Sequence, residues 1–126
     1  MDPAIKSLWI QALKSGKYTQ RTGLLKSEHA GGKLKHCCLG VLCEIAATVG
    51  VVKENSIPHS CEVETCDLVS TEYGYEGGDE DLAFGLPPVT VLDWSGLDIH
   101  RAQDLAEMND EGADFATIAD YIDKHL

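Results

Sequence analysis

Three cysteines and a histidine lie where a basic, glycine-containing stretch runs into an apolar helix, in the segment His36-Cys37-Cys38-Leu39-Gly40-Val41-Leu42-Cys43. Unpaired backbone N–H groups and the helix dipole favour negative charge at such a helix start. The same effects stabilise a thiolate, so Cys38 at the helix start is a candidate nucleophile. His36 or His59 could be the nearby base. No cysteine-protease or thiol-transferase signature surrounds it. An enzyme with a Cys38 nucleophile is therefore an alternative, and the prediction leans towards a protein without catalysis.

A zinc site is a second use of the same chemistry. Structural zinc sites usually pair their ligands about two to four residues apart, and the spacings Cys38–Cys43 and Cys61–Cys66 only just reach that limit. Beside Leu39 and Leu42, Cys43 is more simply a small buried residue. We predict no metal and no cofactor, while a zinc site and a Cys61–Cys66 disulfide stay open. The side chains concerned are His36, Cys37, Cys38, Cys43, His59, Cys61 and Cys66.

A third use is a pocket for a small anionic ligand ahead of the thiols. An aromatic ring for stacking, a side-chain amide and several basic side chains are the groups that hold a nucleotide base and its phosphate. A phosphate-binding glycine motif is missing, because Gly31-Gly32-Lys33 lacks the spacing of a P-loop. A solvated basic hairpin is the alternative reading. The residues that supply these groups are Tyr18, Gln20, Arg21, Lys33, Lys35 and His36.

Charge is distributed unevenly along the 126 residues. Residues 1–36 carry seven basic and two acidic side chains, and the remaining ninety carry three basic and nineteen acidic ones, which makes the net charge −11. An acidic field repels nucleic-acid backbones, so we predict no DNA partner. The helix–turn–helix pattern of residues 105–122 exposes Asp114, Asp120 and Asp123 in place of base-reading side chains, which favours a packed helical hairpin.

Length and composition predict one globular domain over residues 1–126. No apolar run approaches the roughly 18 residues of a membrane span, and the Asp2-Pro3 start is unlike a signal peptide, so we expect a cytoplasmic protein. Five cysteines in such a chain indicate free thiols or metal ligands rather than a disulfide framework.

Capping residues and apolar periodicity predict about five helices. Asp2 and Pro3 begin the first, whose inner face would be Ile5, Leu8, Trp9, Ala12 and Leu13. The second runs from about Cys38 to Val49, with Gly50 as its stop and a buried stripe of Leu39, Leu42, Ile45, Ala46 and Val49. Further helices are expected over Val89–Trp94, over Ile99–Met108 and after the N-cap Asp114.

Short strands are expected between the helices. Residues 17–20 and 23–26 are predicted as strands around a turn, with a second turn at Ala30–Gly32 and a returning strand at 33–36. Residues 61–64 and 67–70 predict a hairpin, and 71–85 a surface loop. The resulting fold class is α+β, a small antiparallel sheet or hairpins packed against about five helices.

Several motifs resemble a family of short uncharacterised proteins encoded mainly by bacteriophages. The likeness covers about residues 9–45 and 86–126. It is carried by Trp9, Ser15-Gly16-Lys17-Tyr18-Thr19-Gln20, Gly23-Leu24-Leu25, Cys37-Cys38-Leu39-Gly40-Val41-Leu42-Cys43, Leu86-Pro87, Trp94, Gly96-Leu97, Met108-Asn109-Asp110, Gly112, Phe115 and Ile118-Ala119-Asp120. Relative to that pattern, this chain has a longer insert at residues 28–35.

The resemblance implies an accessory protein that acts on the host inside an infected bacterium. Together with the basic segment it leads us to expect counter-defence or host modulation by sequestering a small anionic ligand, nucleotide-derived and either cyclic or linear. The predicted ligand-binding residues are Tyr18, Gln20, Arg21, Lys35, His36, Cys38 and Asn109.

An acidic protein–protein inhibitor of a host factor is the alternative binding function, with residues 72–81 and the C-terminal helices as its surface. The predicted partners are therefore the anionic ligand or a host protein. Neither DNA nor a membrane is predicted as a partner. The oligomeric state stays open, a homo-oligomer included.

Overall fold

A computed structural model describes residues 1–29, 33–58, 69–74 and 86–126. Within those ranges the chain forms five helices and five strands, which confirms the predicted α+β class. The elements are α1 (Pro3–Lys14), β1 (Thr19–Gln20), β2 (Lys26–His29), β3 (Lys33–His36), α2 (Cys38–Thr48), β4 (Lys53–Pro58), β5 (Val69–Gly74), α3 (Val89–Ser95), α4 (Ile99–Asp110) and α5 (Phe115–His125).

The strands form one sheet in the order β1-β3-β2-β5-β4. β2 lies in its middle and pairs antiparallel with both β3 and β5, and β4 pairs antiparallel with β5. The short β1 runs parallel to β3, so the sheet is mixed. Lys26 of β2 lies directly opposite His36 of β3, which places both side chains on the same face.

Helix boundaries follow the capping residues that the sequence indicated. The Asp2 carboxylate accepts hydrogen bonds from the amides of Ala4 and Ile5, and Asp114 accepts from the amide of Thr117. Gly50 adopts a positive φ of 85° just beyond α2, a conformation that glycine enters without steric cost. The five helices therefore begin and end within about two residues of their predicted limits.

The strands were harder to predict. The expected pairing of residues 17–20 with 23–26 is wrong, because β1 pairs with β3 and Gly23 turns the chain with a φ of 83°. Residues 71–74, expected in a loop, belong to β5, and its partner β4 lies in a segment without a predicted strand. The turn at Ala30–Gly32 and the residues 61–64 and 75–85 lie outside the described residues.

The core is built around α2, whose first six residues, 38–43, are all buried. The Trp9 side chain of α1 is fully buried, as expected of a packing residue, and its Nε1 donates to the Cys38 carbonyl oxygen at 2.9 Å. Not every residue predicted as core is covered. Leu8 is 50% exposed, Val49 is 59% exposed and Ile45 is only partly buried.

No helix in the described part of the chain is long and apolar enough to span a bilayer.

Gly40 marks the closest approach of α2 to the chain beneath it. A Cβ atom built there would lie 1.7 Å from the carbonyl oxygen of Leu25. That oxygen also accepts the hydrogen bond of the Cys37 amide at 3.2 Å, so it cannot easily move. Only glycine lets the first turn of α2 pack against the residue that leads into β2.

We expect Gly40→Ala to lower the free energy of unfolding by about 3 kcal/mol, because the added methyl group overlaps a backbone atom. In an unconstrained helix the same change is stabilising by up to about 1 kcal/mol. The sign is therefore diagnostic in urea denaturation. Thr48→Ala, an exposed change in the same helix, serves as control and should alter stability by less than about 0.5 kcal/mol. A Gly40→Ala protein as stable as the wild type would contradict the contact.

Candidate functional site

The start of α2 is held by the fully buried side chain of Asn109, which comes from α4. Its Oδ1 accepts hydrogen bonds from the Cys38 amide at 3.1 Å and from Gln20 Nε2 at 3.0 Å. Its Nδ2 donates to the carbonyl oxygen of Arg21 at 2.7 Å. Gln20 Nε2 also donates to the carbonyl oxygen of Ala113 at 2.6 Å. Four of the predicted site residues thus meet here, two of them through backbone atoms.

The amides at this helix start are directed into the protein. The Gly40 amide donates to Cys37 Sγ at 3.4 Å, alongside the bond from Cys38 to Asn109. These internal hydrogen bonds stabilise the fold, because each buried amide without a partner would cost about 1–3 kcal/mol. An anion would have to displace Asn109 to reach the Cys38 amide.

The thiols of α2 are buried as well. Burial raises the pKa of Cys37 to about 11 and raises the pKa values of Cys38 and Cys43 well above the usual range. A thiol that stays protonated at neutral pH is a poor nucleophile and a poor metal ligand. Among the described residues no group of three His, Cys, Asp or Glu side chains is arranged to hold a metal ion, and Cys61, Cys66 and His59 lie outside them.

The predicted cations are divided between different places. The Arg21 guanidinium donates to Ser27 Oγ and to the carbonyl oxygen of Thr22, and burial lowers its pKa. Lys35 is the cross-strand neighbour of Ser27, so it shares that face of the sheet. Side chains alternate along a strand, and His36 therefore points to the opposite face. Arg21 and Lys35 do not converge with His36.

On the His36 face, four ionisable side chains from four elements form what we call the Lys26 cluster. It consists of Lys26 of β2, His36 of β3, Glu44 of α2 and Glu54 of β4. Lys26 Nζ lies 2.8 Å from Glu54 Oε1 and 3.2 Å from Glu44 Oε2. The same Glu44 oxygen lies 3.6 Å from His36 Nε2. The Tyr18 ring meets the His36 ring edge-on, with 5.0 Å between the centroids.

Burial and the charges of the cluster shift the pKa values of Glu54, Lys26 and the adjacent Tyr18. The hydrogen bond to Glu44 and burial raise the pKa of Glu54. Burial by itself would lower the pKa of Lys26, but hydrogen bonds and charges from Glu54 and Glu44 outweigh it and raise the pKa. Burial and the Glu44 charge raise the pKa of Tyr18. Perturbed groups gathered in one place mark a functional-site candidate.

Sequence reasoning missed Lys26, Glu44 and Glu54. A signal was present for two of them: Glu44 is the one charge within the apolar run of α2, and Lys26 directly follows Leu24-Leu25. Buried positions of this kind call for a partner of opposite charge. Glu54 could not be identified as their partner from the sequence, because the strand that carries it, β4, was not predicted.

A groove next to the cluster lies between α1 and the C-terminal half of α2, with a volume of about 450 Å³. We call it the α1–α2 groove. Its apolar lining is Leu8, Ala12, Ile45 and Val49, and its polar lining includes Gln11, Lys17, Tyr18 and Thr48. The incompletely covered residues of the predicted core are thus collected in one place. Tyr18 belongs both to this groove and to the contact with His36.

Fold and site define a small α+β protein with a partly apolar groove beside a cluster of charges that is partly buried. The chain belongs to the family described as Domain of unknown function (DUF8296), whose model matches residues 1–126. This confirms the expected membership of an uncharacterised family. Comparison with curated proteins and with solved structures gave no match.

Replacing Asn109 tests its role at the start of α2. We expect Asn109→Ala to lower the free energy of unfolding by about 3 kcal/mol, because the Cys38 amide and the Arg21 carbonyl lose their partner in the interior. Chemical denaturation measures the change. Gln103→Ala, an amide lost from the exposed side of α4, is the control and should cost less than about 0.5 kcal/mol. Equal stability of the two variants would show that the hydrogen bonds of Asn109 do not stabilise the fold.

The raised pKa of Glu54 predicts a pH dependence of stability. Folding favours its protonated form, so the contribution is fully present below the unfolded-state pKa near 4.5 and is lost as pH rises through the higher folded-state value. Glu54→Gln removes this titration but keeps a neutral hydrogen-bonding group. From about pH 4 to pH 7, the wild type should therefore lose stability relative to the variant.

Urea midpoints at each pH provide the measurement, with Glu107→Gln on the exposed side of α4 as the matched carboxylate control. A difference between wild type and Glu54→Gln that is constant with pH, or that runs in the opposite direction, would contradict the shift.

Proposed function

We propose that this protein binds and sequesters a small anionic ligand with a flat ring system, nucleotide-derived, in the α1–α2 groove. The supporting observation is that three apolar residues with helical core spacing, Leu8, Ile45 and Val49, are left incompletely covered and line the same groove. Single exposed apolar residues are ordinary, whereas a contiguous group marks a binding surface. The volume of about 450 Å³ lies in the range of small-molecule sites.

The polar groups at the groove specify the ligand chemistry. Tyr18 supplies an aromatic ring against which a base can stack, an interaction of about 1–3 kcal/mol. Lys17 supplies a positive charge at the rim and makes no ion pair with any described residue. Both residues belong to the segment 1–36, which carries seven basic side chains against two acidic ones. A nucleotide combines the flat ring and the negative charge that these two residues accommodate.

Binding without chemistry is the proposal that the thiols favour. Cys38 was the candidate nucleophile, and it is fully buried with a raised pKa. The described residues that line the groove include no thiol and no carboxylate to act as nucleophile or base. Of the residues predicted for the ligand, Tyr18 lines the groove and His36 lies behind it. In the proposed site, Lys17 takes the part assigned to Arg21 and Lys35.

The resemblance to bacteriophage proteins supplies the biological setting of the proposal. An accessory protein made in an infected bacterium gains from removing a nucleotide signal in the host cytoplasm, and sequestration needs affinity rather than turnover. Counter-defence by ligand capture is therefore the role we propose for the groove.

A second candidate function, an acidic protein–protein inhibitor of a host factor, is favoured by the charge of the C-terminal helices. Residues 98–126 carry eight acidic and two basic side chains. Several of the acidic ones are exposed on α4 and α5, among them Asp104, Glu107, Asp120 and Asp123. Such a surface suits a basic partner. Substitutions in the groove leave it intact, so their effect on biological activity separates the two functions.

Substitutions at the groove test the first proposal in titration calorimetry against a panel of cyclic and linear nucleotides. We expect Lys17→Gln to weaken binding of the best nucleotide about tenfold, because a charge-assisted contact is lost. Tyr18→Leu should weaken it by a similar factor through lost stacking, while Tyr18→Phe keeps the ring and stays within about threefold.

Lys124→Gln, at an exposed lysine on α5 that is not among the residues lining the groove, is the matched control and should bind like the wild type. The proposal fails if no member of the panel binds, or if Lys17→Gln and Lys124→Gln bind equally.

A further inference from the structure

The α1–α2 groove is bordered by the C-terminal ends of both of its helices. Ser15, the C-cap of α1, and Val49, the C-cap of α2, are both among its lining residues. The peptide dipoles of a helix add up to about half a negative charge at the C-terminus, where the last carbonyl groups have no partner within the helix. Two such ends at one groove give it a negative potential that does not depend on any ionised side chain.

Basic side chains in the helices compensate these two ends only in part. The last turn of α2, Ile45-Ala46-Ala47-Thr48, carries no basic residue. In the last turn of α1 the basic residue is Lys14, whose ammonium group lies 3.1 Å from the Asp120 carboxylate of α5. Because the carboxylate largely cancels this charge at a distance, Lys14 adds little to the potential in the groove.

Lys17 places one positive charge beside the two helix ends. Among the described residues that line the groove, it is the only one with a charged side chain at neutral pH, since burial and the Glu44 charge raise the pKa of Tyr18. Its backbone amide donates to Ser15 Oγ at 3.2 Å, which fixes Lys17 just beyond the end of α1. Its unit charge is about as large as the charges of the two helix ends together. The groove therefore combines one local cation with a potential that is close to neutral overall.

This charge balance limits the charge of an anionic ligand. A first negative charge pairs with Lys17 at close range. A second negative charge on the same ligand finds no further cation among the described lining residues, and it is repelled by the two helix ends. It also makes the ligand costlier to desolvate, because the hydration energy of an ion grows with the square of its charge. A singly charged ligand is therefore favoured over a multiply charged one.

We propose that the groove selects nucleotides with one negative charge, carried by a phosphodiester, over phosphate monoesters and polyphosphates, which carry more. The base stacks on Tyr18, the phosphodiester pairs with Lys17, and the ends of α1 and α2 repel ligands of higher charge. The inference rests on the proposed function and specifies its ligand. A sequestering protein gains from such a repulsive element, because nucleoside di- and triphosphates otherwise compete for the site.

The test compares pairs of ligands that differ by one charge. Each 5′-monophosphate of adenosine, guanosine, cytidine and uridine, a dianion at about pH 8, is titrated in a calorimeter beside its methyl ester, a singly charged phosphodiester. The uncharged nucleosides are the reference, and the ionic strength is held constant. For the base that binds best, we expect the methyl ester to bind about fivefold tighter than both the dianion and the nucleoside.

Variants at two exposed valines test the contribution of the helix ends. Val49→Lys adds a second cation at the C-terminus of α2, within the groove lining, and should make the dianion bind at least as tightly as its ester. Val89→Lys adds the same charge at the first residue of α3, which is not among the lining residues, and should leave the ratio of affinities unchanged. Val49→Gln should also keep the ratio, which separates the added charge from the lost apolar contact.

The outcomes separate the inference from the proposed function. A dianion that binds wild-type protein as tightly as its methyl ester, or a ratio that Val49→Lys leaves unchanged, overturns the selection by charge, while nucleotide binding in the groove stands. If none of these nucleotides and esters binds, the proposed function and the inference are both overturned.

Discussion

The first turn of α2 begins in the interior of the protein, and this constraint governs most of the surrounding structure. Backbone amides at a helix start have no partner within the helix, and burial denies them water. Asn109 supplies the acceptor for Cys38, and its amide nitrogen and the side chain of Gln20 tie the same point to the chain around Arg21 and Ala113. Trp9 of α1 also donates a hydrogen bond to the carbonyl oxygen of Cys38, so α1, α2 and α4 all meet at Cys38. A helix start used in this way stabilises the fold and is closed to ligands.

The apolar face of α1 and that of α2 meet only over part of their length. Near the start of α2 they are covered by the core, whereas towards its end Val49 and its neighbours remain beside Leu8 with no element of the described chain over them. A protein that keeps an apolar recess open gives up some hydrophobic stabilisation. Binding sites need such incomplete burial, which is why the groove rather than the thiol segment is the more promising place for a ligand.

The Lys26 cluster shows how a sheet can hold charge beneath a helix. Lys26 is buried against two carboxylates, and the central position of β2 lets it contact Glu44 above the sheet and Glu54 on β4. Breaking such a pair is costly because one charge is left without a partner. The cluster thus fixes α2 over the sheet. Within this structural support, the raised pKa of Glu54 makes stability depend on pH.

Local signals in the sequence determined the helices. Asp2, Pro3, Gly50 and Asp114 act within one helical turn, and apolar periodicity reports a face without knowledge of what covers it, so five helices and the α+β class were predictable. The same locality explains the errors. Pairing of β1 with β3, the existence of β4 and the exposure of Leu8 and Val49 depend on residues far away in the chain.

For the candidate site, residue types indicated that a functional role was possible for five residues, and the sequence by itself did not decide which of them bind a ligand. These residues are Tyr18, Gln20, His36, Cys38 and Asn109. Only the tertiary structure separated Gln20 and Asn109, which close a helix start, from Tyr18, which lines the groove, and from His36, which belongs to the Lys26 cluster. It also brought in Lys26, Glu44 and Glu54. Side chains with the same chemistry serve packing or binding according to which partners long-range contacts place beside them, and that placement is not encoded in any short segment.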